Sequence, residues 1–496
     1  MRKVIFSSLI SLLLLLPSLV RADEGMWFLM FLKRLNERDM QKQGLQLTAE
    51  EIYSINNNSL KNAIVQFNGS CTASIISPEG LVITNHHCGY GSIADLSTAE
   101  HNYLRDGYWA KTKADELPPK RLFVRFFVRM DNVTDRMLAV VNPSMSEKER
   151  EAALNQEIAK IQKENDEGGK YVVSVRSFFQ GNEFYYFVYQ DFKDVRLVGT
   201  PPENVGKFGG DTDNWEWPRH TGDFSVFRVY TDKDGNPAEY SPNNIPMKSQ
   251  KYLNVSLKGV QEKDFAMILG YPGRTNRWVP SYWVDQQVKY GYPAWVEASK
   301  TAMDAMKKHM DADNGVRLKY ASAYASLANY WKNRQGMIDA LTAHKTAELK
   351  RKAEKKFAKW AAKEANKAEY GSVLEDLSSY FAKTNQQAAN QNYLLIFFRA
   401  SQLASQVNPL VKQLSSYLAS SSDAEKAQIK ERVTQGLYNY YNQTYLPAEI
   451  DLFADNLKLY AGKSTDIPEE LNKIKSQYNG DFRRYAADVF AGSIFT

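Results

Sequence analysis

The feature that most constrains this chain is the segment between its only two cysteines, Cys71 and Cys88. Short apolar runs within it are separated by a Ser-Pro-Glu-Gly turn sequence, and residues 81–84 lead almost directly into His86 and His87. Such runs predict two strands of a hairpin. In an exported protein the two thiols form a disulfide, which ties the segment carrying the histidines to the first strand.

The first 22 residues predict an export signal. Arg2 and Lys3 supply its charged start, residues 4–16 its apolar run, and a small-residue pattern places cleavage after Ala22. About 13 apolar residues are too few to span a bilayer core, which needs about 20, so no membrane anchor is expected. The mature chain then begins at Asp23, in an oxidising compartment where a disulfide persists.

Composition indicates an ordinary globular protein, with 43% hydrophobic and 24% charged residues. Cores usually divide beyond roughly 250 to 300 residues, so a chain of 496 residues predicts at least two structural units. Removal of Arg2, Lys3 and Arg21 lowers the formal net charge from +6 to +3. The basic residues form no cluster interleaved with aromatics in the first half, so no nucleic-acid partner is expected.

The composition of the chain changes from a strand-type to a helix-type pattern along its length. Apolar and β-branched runs predict strands at residues 63–67, 71–76, 81–84, 171–175, 184–189, 195–198, 224–230 and 265–269. A capping box at Thr48 and Glu51 falls in a helical N-terminal stretch, and a second box at Ser146 and Glu149 predicts an inserted helix. From about residue 281 onwards the composition predicts a helical bundle. We therefore expect a signal peptide at 1–22, a β-rich domain at 23–278 and a helical domain at 279–496.

The pair of histidines is the first candidate site. In proteases of the chymotrypsin fold, the general-base histidine follows a strand and immediately precedes a disulfide cysteine, and an aspartate orients it. His87 adjoins Cys88 and fits this pattern better than His86. The alternative is that both are ordinary loop histidines. Two cysteines alone supply too few ligands for a metal site, so no metal is expected.

An aspartate partner is sought in the loop at residues 209–224, which is rich in glycine, tryptophan and acidic side chains. Asp211, Asp213 and Asp223 are all chemically able to hold a histidine. Asp223 directly precedes a strand, which would aim it from a rigid scaffold. A turn network or a calcium loop is the alternative, although tryptophans and widely spaced carboxylates suit calcium poorly.

Four motifs together resemble the bacterial dipeptidyl-peptidase 7 and 11 family. They are Asp-Glu-Gly-Met-Trp after the export signal, Thr-Asn-His-His-Cys-Gly-Tyr-Gly at 84–91, the run from Gly-Gly-Asp-Thr-Asp-Asn-Trp to Gly-Asp-Phe at 209–224, and Gly-Tyr-Pro-Gly-Arg-Thr at 270–275. The resemblance implies a chymotrypsin-like double β-barrel, its second barrel incomplete here, with a large inserted α-helical domain.

The resemblance also implies a serine exopeptidase of the periplasm or the cell surface. Such an enzyme removes dipeptides from the free N-termini of oligopeptides, needs no cofactor and forms a homodimer. His87 would be the base and Asp223 its orienting carboxylate. Asn214 and Trp215 match the family positions that grip the substrate's α-ammonium group. An amide oxygen can accept from an ammonium, and an indole can wall its pocket.

One departure concerns the nucleophile, which the family carries in a Gly-Asn-Ser-Gly-Ser-Pro motif beyond the helical domain. No serine in this sequence precedes a glycine, and the sequence ends at Thr496. We therefore expect these 496 residues alone to be inactive. A fragment of an active enzyme is the preferred interpretation, and a natural pseudoenzyme is the alternative. The alternatives are a non-catalytic peptide-binding protein and a trypsin-like endopeptidase. Similarity around residues 123–133 and 214–218 favours an acidic second substrate residue only slightly over a hydrophobic one.

Overall fold

The computed structural model describes residues 26–98, 100–273 and 275–495. The predicted signal peptide lies outside these residues. Contacts divide the chain into two compact units: residues 1–208 with 221–273, here called the sheet unit, and residues 209–220 with 274–496, here called the helical unit. The loop at 209–220 thus belongs with the helices, although the sequence placed it in the β-rich region. The status of the two units as independent domains stays a prediction.

The sheet unit is built on one ten-stranded sheet. Its strands are β1 (Ile64–Phe67), β2 (Cys71–Ile75), β3 (Leu81–Thr84), β4 (Tyr108–Trp109), β5 (Val124–Asn132), β6 (Val172–Phe178), β7 (Glu183–Phe192), β8 (Val195–Thr200), β9 (Ser225–Thr231) and β10 (Ile245–Pro246). Their order is β4-β8-β9-β3-β2-β1-β5-β7-β6, with β10 paired to β9. The ladders are antiparallel, and the hairpin of β2 and β3 lies near the middle.

Alternation along the strands places one set of side chains in the core. Val65, Phe67, Phe227 and Val229 are fully buried together. Burying one such side chain contributes roughly 1.5 to 3 kcal/mol, so this cluster holds the central strands rigidly in register.

One predicted strand is wrong. Residues 265–269 form no ladder with any described strand, although their burial alternates as in a strand. Phe265, Met267 and Leu269 pack instead on a small helical cluster around Leu32 and Ile52. The period-two pattern is real, but it reflects an extended segment lying on helices.

The sheet unit also carries short helices. They are α1 (Leu32–Leu35), α2 (Glu37–Lys42), α3 (Ala49–Ile52), α4 (His86–Leu96), α5 (Tyr103–Asp106), α6 (Thr134–Leu138), α7 (Glu147–Asn165) and α8 (Glu203–Gly206). Four 3₁₀ turns accompany them, at Leu29–Phe31, Leu60–Ala63, Lys113–Asp115 and Phe179–Gly181. Both predicted capping boxes are confirmed, at Thr48 with Glu51 and at Ser146 with Glu149.

The helical unit is a bundle, as the composition predicts. Its helices are α9 (Ser281–Gln286), α10 (Tyr292–Met310), α11 (Asn314–Ala343), α12 (Thr346–Ala361), α13 (Glu364–Tyr370), α14 (Val373–Ala400), α15 (Gln402–Ala419), α16 (Asp423–Gln443), α17 (Leu446–Lys463), α18 (Glu469–Gln477) and α19 (Phe482–Ala491). A π turn, Gln287–Gly291, joins α9 to α10. The core lies mainly among α10, α11, α14 and α17. No helix in the described ranges has the length and apolarity to cross a membrane.

Candidate functional site

The register of two central strands brings the predicted histidine and aspartate together. β3 pairs with β9 so that Thr84 lies opposite Ser225. His87 lies three residues beyond Thr84, in the first turn of α4, and Asp223 lies two residues before Ser225. Residues separated by 136 positions therefore meet at one edge of a rigid ladder.

The contact between the two side chains is short. His87 Nδ1 lies 2.7 Å from Asp223 Oδ2, and the His87 backbone N–H donates to Asp223 Oδ1 at 3.0 Å. The Asn85 amide donates to Asp223 Oδ2 at 3.2 Å and to its backbone oxygen at the same distance. The carboxylate is thus held in one orientation, and His87 Nε2 is the ring nitrogen left for acid–base chemistry.

Electrostatics favour an ionised aspartate at this position. Burial opposes ionisation of Asp223, but hydrogen bonds from the ring and backbone of His87 and from the Asn85 amide outweigh it, so its pKa is below the ordinary value. An ionised carboxylate on Nδ1 stabilises an imidazolium and fixes the histidine tautomer. The side chain of His87 is 69% exposed, so it is accessible to a substrate.

The two adjacent histidines, of which the sequence motif favours His87, lie in different surroundings. His86 is 1% exposed, its ring packs edge-on against Tyr90, and a methyl group on Gly206 would clash with it. Burial lowers the pKa of His86, which keeps it neutral near pH 7. The exposed His87 is the one bonded to Asp223.

The predicted disulfide joins Cys71 in β2 to Cys88 in α4, with a Cα–Cα distance of 6.1 Å. It ties the residue after His87 to the strand next to β3. The two sulfurs lie close to His87 as a group with metal-binding spacing. A cysteine binds a metal as its thiolate, and both of these sulfurs are joined in the disulfide, so they cannot serve as metal ligands.

The loop at 209–220 forms a second polar site within the helical unit. Asn214 Nδ2 donates to Asn329 Oδ1 at 2.7 Å, and Trp215 Nε1 donates to the backbone oxygen and to Oδ1 of Asn329 at 3.1 Å. Arg219 donates to Asn214 Oδ1 at 3.1 Å. That oxygen keeps a second lone pair, which could accept from an ammonium group.

Backbone strain accompanies this arrangement. Trp215 has φ +63°, in the left-handed region that a bulky residue rarely adopts, at a cost of roughly 1 to 3 kcal/mol. The bonds from Trp215 to Asn329 oppose this cost. Trp215 as a whole is 58% exposed in spite of the two hydrogen bonds of its indole, so part of this residue is open to a ligand.

Asp211 and Asp213, the other candidate partners for a histidine, lie in this loop. The Asp213 carboxyl packs against Gly209, where any side chain would clash with it. Lys332 Nζ donates to the backbone oxygens of Asp211 and Thr212. The described contacts therefore pair His87 with Asp223 and give the two loop aspartates structural positions.

Sequence reasoning missed Asn329 and Lys332. Both lie inside α11, a helix of 30 residues, among alanine, tyrosine and serine. No motif marks them, because a single amide or lysine on a helix is usually solvated. Asn85 lies in the histidine motif at 84–91, but no local pattern indicates that its amide binds Asp223.

Comparisons with known proteins show the family of the chain. The chain is 82% identical over 496 residues to dipeptidyl-peptidase 7 of Capnocytophaga gingivalis, covering 100% of this chain and 69% of that protein. It is 37% identical over 470 residues to an Asp/Glu-specific dipeptidyl-peptidase of Flavobacterium psychrophilum, covering 95% of this chain and 65% of that protein. The chain thus spans about two thirds of the length of these relatives.

A solved structure of Porphyromonas endodontalis DPP11 in complex with the dipeptide Arg-Glu is similar over 96% of this chain and 69% of its own, with a TM-score of 0.80 and 31% identity. This likeness confirms the predicted fold class, a β-barrel peptidase domain with a large α-helical domain. The model of the peptidase S46 family matches residues 22–496. Because this family model covers nearly the whole chain and the relatives are similar over the same residues, the chain belongs to the peptidase S46 family.

Proposed function

We propose that this chain is part of a serine-type dipeptidyl-peptidase that releases dipeptides from the free N-termini of oligopeptides. The observation that carries the proposal is the pair formed by His87 and Asp223, with one short side-chain bond and one backbone bond. Relatives named dipeptidyl-peptidase at 37% to 82% identity support the same activity.

In this mechanism His87 Nε2 takes the proton of a serine hydroxyl as the hydroxyl attacks the scissile carbonyl, and later gives it to the leaving amine. Asp223 stays ionised and stabilises the imidazolium formed between these steps. The nucleophile is proposed to lie in a part of the protein outside these residues, since no Ser-Gly sequence occurs in the chain. Backbone N–H groups around that serine would form the oxyanion hole.

Asn214 and Trp215 are proposed to hold the substrate's α-ammonium group. The free lone pair on Asn214 Oδ1 accepts one ammonium N–H, and the exposed Trp215 indole attracts the cation over its face. Asn329 orients both side chains. A site that requires a free amine ends the substrate groove, which makes the enzyme an exopeptidase.

The preference for the second substrate residue remains a prediction. Its acidic version is supported by relatives named Asp/Glu-specific, at 37% and 38% identity. The relative at 82% identity has a name without that specificity. Export by residues 1–22 and assembly as a homodimer are also proposed, on the pattern of the N-terminus and on the family resemblance.

The test uses the full-length gene product from Asp23 and, separately, residues 23–496. The substrates are peptides with Asp, Glu, Leu or Met as the second residue, each with a free or an acetylated N-terminus. Release of the N-terminal dipeptide is measured. The full-length protein is expected to cleave only the free-amine peptides, and the shorter chain to be inert. Tight peptide binding without cleavage by the full-length protein would instead support a non-catalytic peptide-binding function.

A further inference from the structure

We propose that Lys332 is the positioning residue that fixes the amine-binding loop, and that it thereby sets the enzyme's requirement for a free N-terminus. The inference rests on the proposed function, because it concerns the same site. Lys332 lies on α11, three residues after Asn329, so both side chains leave the same face of the helix.

Lys332 binds the loop by three contacts. Its ammonium donates to the backbone oxygen of Thr212, to that of Asp211 at 3.5 Å, and forms an ion pair with Glu216 at 3.0 Å. A lysine ammonium has three N–H donors, so these contacts use its full donor capacity. The contacts lie on both sides of Asn214 and Trp215 in the sequence.

Asn329 and Lys332 contact different parts of the loop. Asn329 bonds the side chains of Asn214 and Trp215 but does not hold the loop backbone on either side of them. Lys332 binds the backbone before them, at Asp211 and Thr212, and the Glu216 side chain after them, and only 25% of its own side chain is exposed. Since Trp215 occupies a left-handed conformation, the loop needs such restraint to keep both side chains in place.

The charge of Lys332 also needs compensation at this location. A bare ammonium on a site for a substrate ammonium would repel its ligand. Two carbonyl oxygens and the Glu216 carboxylate offset that charge. The ion pair is thus predicted to lower the positive charge of Lys332 beside a cationic ligand, and the carbonyl bonds provide the positioning. The Arg219 guanidinium, which donates to Asn214 Oδ1, remains a cation at this site.

The test replaces Lys332 in the full-length enzyme. Lys332→Met keeps the aliphatic stem and removes every donor, and Lys332→Gln keeps a shorter polar group. We expect KM for free-amine peptides and Ki for a free dipeptide to rise about tenfold, the equivalent of one or two lost hydrogen bonds. The Ki of the N-acetylated dipeptide should stay unchanged, and kcat should change less than KM.

Lys319→Met is the matched control, because Lys319 lies on the same helix and also donates to a backbone oxygen, that of Thr444 at 2.8 Å. It should lower thermal stability by a similar amount without changing either Ki. If the Lys332→Met variant does not fold, Lys332→Gln provides the same comparison. Glu216→Gln, at a residue 61% exposed in its side chain, should weaken free-dipeptide binding about two- to threefold and only at low salt.

The proposal is overturned if both Lys332 variants keep the wild-type Ki for the free dipeptide. It is also overturned if Lys319→Met raises that Ki as much, because the effect would then be general destabilisation. A wild-type enzyme that cleaves free and acetylated peptides equally overturns the proposed function itself. The two failures are therefore distinct in the same set of measurements.

Discussion

The two polar sites of this protein are built by different means. His87 and Asp223 stand at the ends of paired strands, and the ladder between β3 and β9 brings them within 2.7 Å. Asn214 and Trp215 lie in a loop outside any ladder, and side chains from the middle of α11 hold them. Backbone pairing determines the first site, and a few side-chain bonds determine the second.

This difference predicts different sensitivities. A site fixed by a ladder, a disulfide and a buried core tolerates the loss of one supporting contact. A strained loop held by single side chains does not. Substitutions at the first site should therefore remove chemistry, and substitutions around the second should change which substrates are bound.

The largest expected effect is at the aspartate. Asp223→Asn in the full-length enzyme leaves the geometry nearly intact but favours the wrong histidine tautomer, so kcat should fall by about 10⁴-fold with little change in KM. His87→Ala should lose at least as much. Steady-state kinetics with a dipeptidyl fluorogenic substrate measure both. Asp213→Asn is the control, and an equal loss there would contradict the assignment of Asp223.

The disulfide should contribute stability. Replacing Cys71 and Cys88 together by serine opens a loop of 17 residues and should lower the free energy of unfolding by about 3 kcal/mol. Denaturant unfolding, followed by a spectroscopic signal from the sheet unit, measures this loss of unfolding free energy. If the comparison of the two sites holds, the folded variant keeps most of its kcat. A variant of unchanged stability that has lost activity would show that the disulfide orients His87 directly.

In the helical unit, stability should depend on pH through Glu449. This fully buried carboxyl accepts hydrogen bonds from Tyr320 on α11 and from the Gln402 backbone, and burial raises its pKa to about 7. Because the folded pKa exceeds the unfolded one, the folded state binds the proton more tightly, and stability falls as pH rises from about 4.5 to 7.

Between pH 5 and pH 8 this group should cost about 2 to 3 kcal/mol. Glu449→Gln should remove that part of the slope, measured as the difference in unfolding free energy at the two pH values. Other groups titrate in the same range, so the variant is compared with the wild-type protein. Identical slopes would exclude Glu449 as the source.

The smallest of these four effects is expected at Asn329. Asn329→Ala removes the bonds to Asn214 and Trp215 and should raise KM for free-amine peptides about tenfold, with kcat little changed. Asn390→Ala is the control, since its amide donates to Thr465, far along the chain from the loop. A fall in kcat alone at Asn329 would contradict a role in amine binding.

Much of the sheet unit could be predicted because its signals are local. The strand Leu81–Thr84 has the predicted bounds, and the capping boxes at Thr48 and Ser146 form as predicted. The strand β5 is not predicted by the sequence, because arginines and an aspartate interrupt its apolar pattern. In the structure Arg125 lies opposite Asp191 on β7 and pairs with it at 2.6 Å, so the charges belong to the ladder.

The sequence by itself determined most of the elements and the residues that pair in one site, because strand periods, caps, cysteine spacing and the order His-Cys are short-range patterns with direct physical causes. The motif favoured His87 over His86, but the burial that distinguishes the two rings depends on the packing of His86 against Gly206 and Tyr90. Only the tertiary structure decided that Asn329 and Lys332 hold the loop. Those contacts join residues more than 110 positions apart in the sequence, and a local sequence pattern does not predict contacts over such a separation.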